Sequence, residues 1–270
     1  MKLNPKWIVA ALAAVVLSAA AGWYYYESQK VCCGFPDEPE PMPPLIDRKP
    51  MGLMTSLPLY WPANAEFTEI AQGNVEIPWQ RRILEMEYEL VPLDTLSLIA
   101  GLDTNAPETD PLADLDRLAV IQPRGLSPAD NVALDNWVRA GGRLLIVLDP
   151  MLTGHYEFPI GDPRRPSDVA LVPPVIARWG LEIVQDDTIS AEPRLVSIDR
   201  RSITVEVFGQ IRPIDNADPG CNFTSGGEAA WCSVGNGRVT VLADAAIFEQ
   251  VDFAGPNGES IRHIVRLAFD

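Results

Sequence analysis

The stretch Leu118 to Pro150, "LAVIQPRGLSPADNVALDNWVRAGGRLLIVLDP", decides the fold, because it holds the parts of a strand, helix, strand unit in order. Leu118 to Gln122 is a short, mainly apolar run, as a strand covered on both faces requires, and a turn with Pro123 and Gly125 follows it. Ser127 is placed to cap a helix, and Pro128 takes the first helical position, where its missing N–H costs nothing. Asp130 lies in the first turn against the positive helix end. Along this helix Ala129, Val132, Ala133, Trp137 and Ala140 form a broad apolar face predicted to pack on a sheet. Asn131, Asp135 and Arg139 form the face predicted to be solvated. Gly141 and Gly142 supply the left-handed backbone of a C-cap, and "RLLIVLDP" returns as a second buried strand.

The same grammar extends outward. Met51 to Trp61 reads as a first strand with its following loop, Ala65 to Trp79 as a loop above the sheet, and Gln80 to Tyr88 as a helix. "YELVPLDTL" is the next strand, ending near Asp94, and an Asp- and Pro-rich loop from Gly101 to Asp114 leads into the central unit. After Asp149, the segment Met151 to Ser167 is too irregular for a regular element and long enough for a functional flap. "VIARWGLEIVQDDTIS" repeats helix, glycine stop and strand, while "SITVEVFG" and "GRVTVLAD" are strand-like. The last helix, in "NGESIRHIVRLAFD", could be capped by Asn257 or Ser260 and has Ile261, Ile264, Val265 and Ala268 on one apolar face. His263 is expected on its wet side.

The 270 residues carry a formal net charge of −16, and 47% of them are hydrophobic. That composition supports a sizeable core, and the charge repels phosphate backbones, so no nucleic-acid partner is expected. Trp7 to Tyr26, "WIVAALAAVVLSAAAGWYYY", is an uncharged run of 20 residues, which at roughly 1.5 Å per residue matches a bilayer core of about 30 Å. Lys2 and Lys6 precede it and Trp23 to Tyr26 follow as an aromatic cluster, which places the N-terminus in the cytoplasm. A cleaved signal peptide ending near Ala19 and Ala21 is the alternative. The apolar run continues past that site, which favours an uncleaved anchor. The expected organisation is an anchor over residues 1–28, a Pro-rich acidic stalk over 29–50 and an exported α/β domain over 51–270. That makes a single-pass inner-membrane protein with its C-terminal domain in the periplasm. No further apolar run of membrane length precedes Asp270, so Trp7 to Tyr26 is the anchor to the membrane. Cys32 and Cys33 at the base of the stalk could link neighbouring copies, or could be ordinary thiols or a vicinal bridge. Cys221 and Cys232 are expected to form a disulfide closing a small loop, with a reactive thiol as the alternative.

Candidate chemistry is sparse. Open parallel sheets bind ligands at the carboxyl ends of their strands, where Asp94, Asp149 and Asp244 stand. Three carboxylates there could hold a divalent cation, but aspartate after a strand more often caps the next turn, so no metal or cofactor is expected. His155 lies near Asp149 in sequence, yet with no second histidine close by it reads as a surface residue. No G-x-G-x-x-G, Walker A or G-x-S-x-G sequence opens a helix after a strand. At the turn after Gln122, where related folds carry a nucleophilic cysteine, the chain has Pro123, Arg124 and Gly125.

The series "LAVIQPRGLSPADNVALDNWVRAGGRLLIVLDPM", "WGLEIVQDD" and "GNGRVTVLADAAIF" with a terminal helix resembles the exported domain of auxiliary subunits of uncharacterised ABC transport systems, the gliding-motility-associated type. The resemblance covers most of Met51 to Asp270. It implies an α/β fold of three layers with a mostly parallel sheet, flavodoxin-like or similar to the class I glutamine amidotransferases without their catalytic residues. It also implies an accessory working beside an ABC permease and ATPase, and it carries over no catalytic residue. Two readings of function follow. The first is a membrane-anchored, non-enzymatic accessory or binding domain of an ABC-type transport system. The alternative is an exported hydrolase or carbohydrate-active enzyme using Asp94, Asp149 and Asp244.

Overall fold

A computed structural model describes residues 48–270 except 102, 104, 105, 186–191 and 216. The anchor over Trp7 to Tyr26, nearly all of the stalk, and Cys32 and Cys33 lie outside the described residues. Among the described residues no helix is long and apolar enough to cross a membrane.

In chain order the elements are β1 (Lys49–Thr55), α1 (Phe67–Gln72), α2 (Trp79–Leu84), β2 (Tyr88–Pro92), β3 (Arg117–Ile121), α3 (Pro128–Ala140) and β4 (Arg143–Val147). There follow α4 (Pro174–Arg178), β5 (Leu181–Val184), β6 (Arg194–Ile198), β7 (Arg201–Val205), β8 (Gln210–Pro213), β9 (Cys221–Phe223), β10 (Ala229–Val234) and β11 (Gly237–Leu242). Two short helices, α5 (Ala246–Glu249) and α6 (Val251–Ala254), lead to α7 (Glu259–Phe269).

The main sheet has seven strands in the order β2-β1-β3-β4-β11-β10-β9. The first five run parallel, and β10 and β9 add an antiparallel hairpin at one edge. The fold is therefore mixed α/β with a mostly parallel sheet. The direction of winding reverses between β1 and β3, the point at which such sheets leave a crevice at their carboxyl ends.

Alternation along the central strands sorts the core into two faces. Leu118 and Val120 of β3, Leu144 and Ile146 of β4, and Val239 and Val241 of β11 pack with Leu134 and Val138 of α3 and Ile176 of α4. The intervening Ala119, Ile121, Leu145 and Val147 are equally buried and face the other way. There α7, lying against β4 and β11, contributes Ile261, Ile264, Val265, Ala268 and Phe269. Three layers result.

The helix in the quoted stretch is capped as its sequence predicts. Ser127 Oγ accepts from the Asp130 N–H, and Gly141 takes a φ of 130°. Gly142 is required for another reason. A Cβ there would sit 2.4 Å from the Trp137 ring, which lies across the glycine.

The face of α3 that packs overlaps the expected one only in Ala133 and Trp137, which are half-buried against the core. Leu134 and Val138 are fully buried on the sheet, whereas Val132 is 61% exposed and Ala129 and Ala140 are also exposed. The face predicted to be wet carries the buried Asp135. Its carboxylate accepts from Arg139 Nε (2.9 Å), Arg178 Nε (2.6 Å) and Trp179 Nε1 (2.8 Å), latching α4 onto α3. The reason is tertiary: α4 arrives more than forty residues later and brings the partners that make burial of this aspartate tolerable.

Other departures are local. β1 starts at Lys49, inside the predicted stalk. The loop expected over Ala65 to Trp79 contains α1, opened by Glu66 N–H donating to Glu69 Oε2 at 3.2 Å and closed by Gly73 at φ 70°. Neither Asn257 nor Ser260 caps α7, whose first turn is instead entered through left-handed Gly258. His263 is half-buried and its Nε2 donates to Ile198 O at 2.9 Å, tying α7 to the β6–β7 hairpin. β5 leaves the main sheet and pairs with β8. The expected disulfide is present. Cys221 and Cys232 are register partners of β9 and β10, so the bridge staples a hairpin rather than an irregular loop.

Candidate functional site

The carboxyl edge of the parallel strands is where a site would be built, and its centre is Gln122. This residue follows β3 with a φ of 44°, a left-handed conformation that is uncommon outside glycine. Its side chain is fully buried. Gln122 Nε2 donates to Asp149 O (3.1 Å) and Ser167 O (2.9 Å), and its Oε1 accepts from Asp149 N–H (2.8 Å). Gln122 O accepts from the N–H (3.2 Å) and Oγ (2.5 Å) of Ser56 at the end of β1. One residue therefore ties the ends of β1, β3 and β4 to the segment that follows β4. In hydrolases of the nucleophile-elbow type a strained strand-to-helix turn exposes its side chain to substrate; here the strained position turns its side chain inward.

Asp149 and Asp244 stand at the ends of the adjacent strands β4 and β11. Both are almost completely buried, at 2% and 1% exposure. Asp149 accepts from the N–H groups of Met151 (2.8 Å) and Ala245 (2.7 Å), and Asp244 from those of Glu206 and Ala246 (both 2.9 Å). All four oxygens are thus engaged in capping backbone. Burial pushes the Asp149 carboxyl well above the ordinary range, aided by the charge of Asp244. Burial likewise raises Asp244, to about 6, against the pull of its two amides and with repulsion from Glu249 and Glu206.

Asp94 does not join them. It is exposed beyond β2, the far edge strand, which lies three strand spacings from β4, or about 14 Å at about 4.8 Å each. Among the described residues no three His, Cys, Asp or Glu side chains are grouped to hold a metal ion.

A cavity of about 240 Å³ opens at this edge, between the loop after β1 and the segment after β4, with Gln80 and Phe248 in its wall. Its ionisable groups are Glu249, Tyr156, Glu157 and His155 rather than the strand-end aspartates. Glu249 accepts from the Tyr156 hydroxyl and from the N–H groups of Gly154 (3.0 Å) and Thr153 (3.2 Å). Burial raises the Glu249 carboxyl, and burial together with Glu249 raises the Tyr156 phenol. Gln80 Nε2 donates to Phe248 O at 2.8 Å. His155 is exposed at the rim. The segment expected to be a flap is thereby strapped down twice, to Glu249 and to Gln122.

Glu249, Tyr156 and the inward Gln122 were not singled out from sequence as site residues. Glu249 belongs to a helix of four residues with no periodicity to announce it, and Tyr156 meets it from 93 residues away.

No family model and no curated protein matches the chain. Solved structures similar to it include the exo-β-1,4-mannosidase Op5Man5 from Opitutaceae bacterium strain TAV5 (14% identity, TM-score 0.45, 83% of this chain and 36% of that one). A β-galactosidase from Rahnella sp. R3 (8%, 0.44, 82% and 31%) and a cytoplasmic protein from Salmonella typhimurium (12%, 0.45, 70% and 85%) are also similar. The chain spans about a third of the length of each of these two glycosidases. At these identities and TM-scores the likeness assigns neither substrate nor activity to this chain.

Proposed function

We propose that this chain is a membrane-anchored, non-enzymatic accessory of an ABC-type transport system, held in the inner membrane by Trp7 to Tyr26 with its α/β domain in the periplasm. It acts by contact with a permease and ATPase. The observation that carries this reading is Gln122. The left-handed position directly after β3, at the carboxyl edge of the sheet, is filled by a buried amide, and all of that amide's polar contacts are structural. Asp149 and Asp244 point to the same conclusion, because their oxygens are spent on backbone N–H groups. The test is purification of the tagged full-length chain from solubilised membranes. A permease and an ATPase are expected to copurify in fixed ratio; recovery of the chain alone overturns the reading.

One observation favours the competing reading, an exported hydrolase or carbohydrate-active enzyme. Glu249 is a shielded carboxyl with a raised pKa in the wall of a cavity, the condition of a general acid. That reading moves from the strand-end aspartates to Glu249. Turnover of aryl glycosides or esters that vanishes in Glu249→Gln, in a chain of unchanged stability, would establish it. Absence of turnover in the parent removes it.

A further inference from the structure

The side of α3 that carries Ala129 and Val132, with the half-buried Ala133 and Trp137 at its border with the core, lines an open groove of about 1100 Å³. Its floor includes Leu96, Leu98 and Leu112 from the segment before β3, and Val132, Ala133 and Trp137 from α3. Leu98 and Val132 are 58% and 61% exposed. The groove follows α3 from Pro128 to Gly141, a length of about 20 Å at about 1.5 Å per residue. An open groove with an apolar floor and exposed Leu98 and Val132 at its surface is a mark of an interaction site.

The charge around the groove selects its occupant. Between Leu93 and Asp116 the sequence has six acidic residues and no lysine or arginine. Glu108, Asp110, Asp114 and Asp116 are exposed along this side, and Asp110 and Asp116 border the groove itself. The nearest arginine of α3, Arg139, is held by Asp135 away from the groove. A second copy would bring the same acidic border and a net charge of −16. An anionic lipid surface would be repelled as well. From Cys33 to Asp47 the chain's own stalk has Asp37, Glu38, Glu40 and Asp47 and no lysine or arginine, so this part suits the groove no better.

We propose that this groove receives an amphipathic helix of a partner protein, three to four turns long, with an apolar face entering the groove and lysine or arginine along its flanks. The helix lies beside α3, and its apolar residues at i, i+3, i+4 and i+7 fill the spaces between Leu98, Val132 and Trp137. Acidic borders steer it and set its register, while the apolar floor provides the holding energy. This inference rests on the contact-acting function proposed above and names the surface and the chemistry of the partner.

The test uses the full-length chain in zwitterionic nanodiscs, with empty nanodiscs as control. The probe is a fluorescent amphipathic peptide of leucine and lysine, set against a leucine and glutamate peptide with the same apolar face. The lysine peptide is expected to bind saturably, one per chain, and more weakly as salt rises; the glutamate peptide is not. Val132→Glu, and Asp110→Lys with Asp116→Lys, are each expected to weaken binding by about tenfold or more. All three positions are exposed, and an unchanged denaturation midpoint verifies folding. Equal binding of both peptides, binding indifferent to Val132→Glu, or no saturable binding overturns the proposal. So does self-association that Val132→Glu abolishes, which would make a second copy the occupant. A failed titration beside a copurifying permease overturns the groove and leaves the accessory function standing. Peptide binding without a permease keeps the groove and overturns the transporter as partner.

Discussion

Asp130 and Asp135 on α3, and Asp149 and Asp244 at the ends of β4 and β11, are all buried aspartates, yet their carboxyls shift in opposite directions. Burial raises each of them. At Asp130 it is outweighed by the hydroxyls of Ser127 and Thr95 and the amides of Leu96 and Ser97, which hold the carboxyl well below its usual range. At Asp135 it is outweighed by Arg139, Trp179 and Arg178. Asp149 and Asp244 receive backbone amides too, but they face other carboxyls, and repulsion adds to burial. The sign of the shift follows the company and not the depth. The first pair are latches whose charge strengthens the fold. The second pair cap turns in a region crowded with negative charge.

The contrast can be broken experimentally, and the largest effect is expected at the tie between the strand ends. Gln122→Ala leaves Asp149 N–H and Ser167 O without their buried partner, while Asp149 O keeps only the N–H of Ala170. It should cost about 3–5 kcal/mol by urea denaturation; a loss under about 1 kcal/mol would show that these groups find water or other partners.

Asp130→Ala comes next, since it removes the contacts from Thr95 Oγ1 (2.7 Å), Leu96 N–H (2.8 Å) and Ser97 N–H (3.0 Å) and half of the Ser127 cap. About 3 kcal/mol is expected, with faster amide exchange at Leu96 and Ser97. Retained protection there would mean that the segment before β3 is held by its leucines alone.

The pH dependence sharpens the comparison further. Asp149, Asp244 and Glu249 are raised in the folded state, so the stability they contribute is full below about pH 4 and is lost as pH rises through the raised values, about 6 for Asp244. Asp130 and Asp135 are lowered, so their contribution holds above about pH 4 and fades below it. The unfolding free energy should therefore be greatest near pH 4 and fall by on the order of 1–3 kcal/mol by pH 7.5. Asp244→Asn should flatten that fall, and a curve still rising to pH 7.5 would contradict the assignment.

Reduction of Cys221–Cys232, residues 11 apart in sequence, is expected to cost about 2–3 kcal/mol in the chain-entropy model, with the parallel strands intact by circular dichroism. The smallest effect belongs to the groove side of α3. Val132→Glu should stay within about 0.5 kcal/mol of the parent, whereas Leu134→Glu, on the sheet side of the same helix, should prevent folding.

Much of the architecture was legible because its signals are local. The period of Leu118 to Pro150, the Ser127 cap and the double glycine define a strand, helix and strand whatever lies elsewhere in the chain. The apolar stripe of α7 and the hairpin disulfide were legible for the same reason. Which side of α3 meets the sheet was not: Leu134 with Val138 and Ala129 with Val132 stand on different sides, Ala133 and Trp137 lie between them, and periodicity within 13 residues cannot rank the two. Only the folded chain decides, by bringing Trp179 and Arg178 to Asp135 and Thr95 to Asp130. The strand-end aspartates divide similarly. Their places after β4 and β11 are written in the sequence, but whether their oxygens face solvent, a ligand or backbone amides depends on residues up to 96 positions away. Local order sets periods and caps; burial and partnership are properties of the assembled layers.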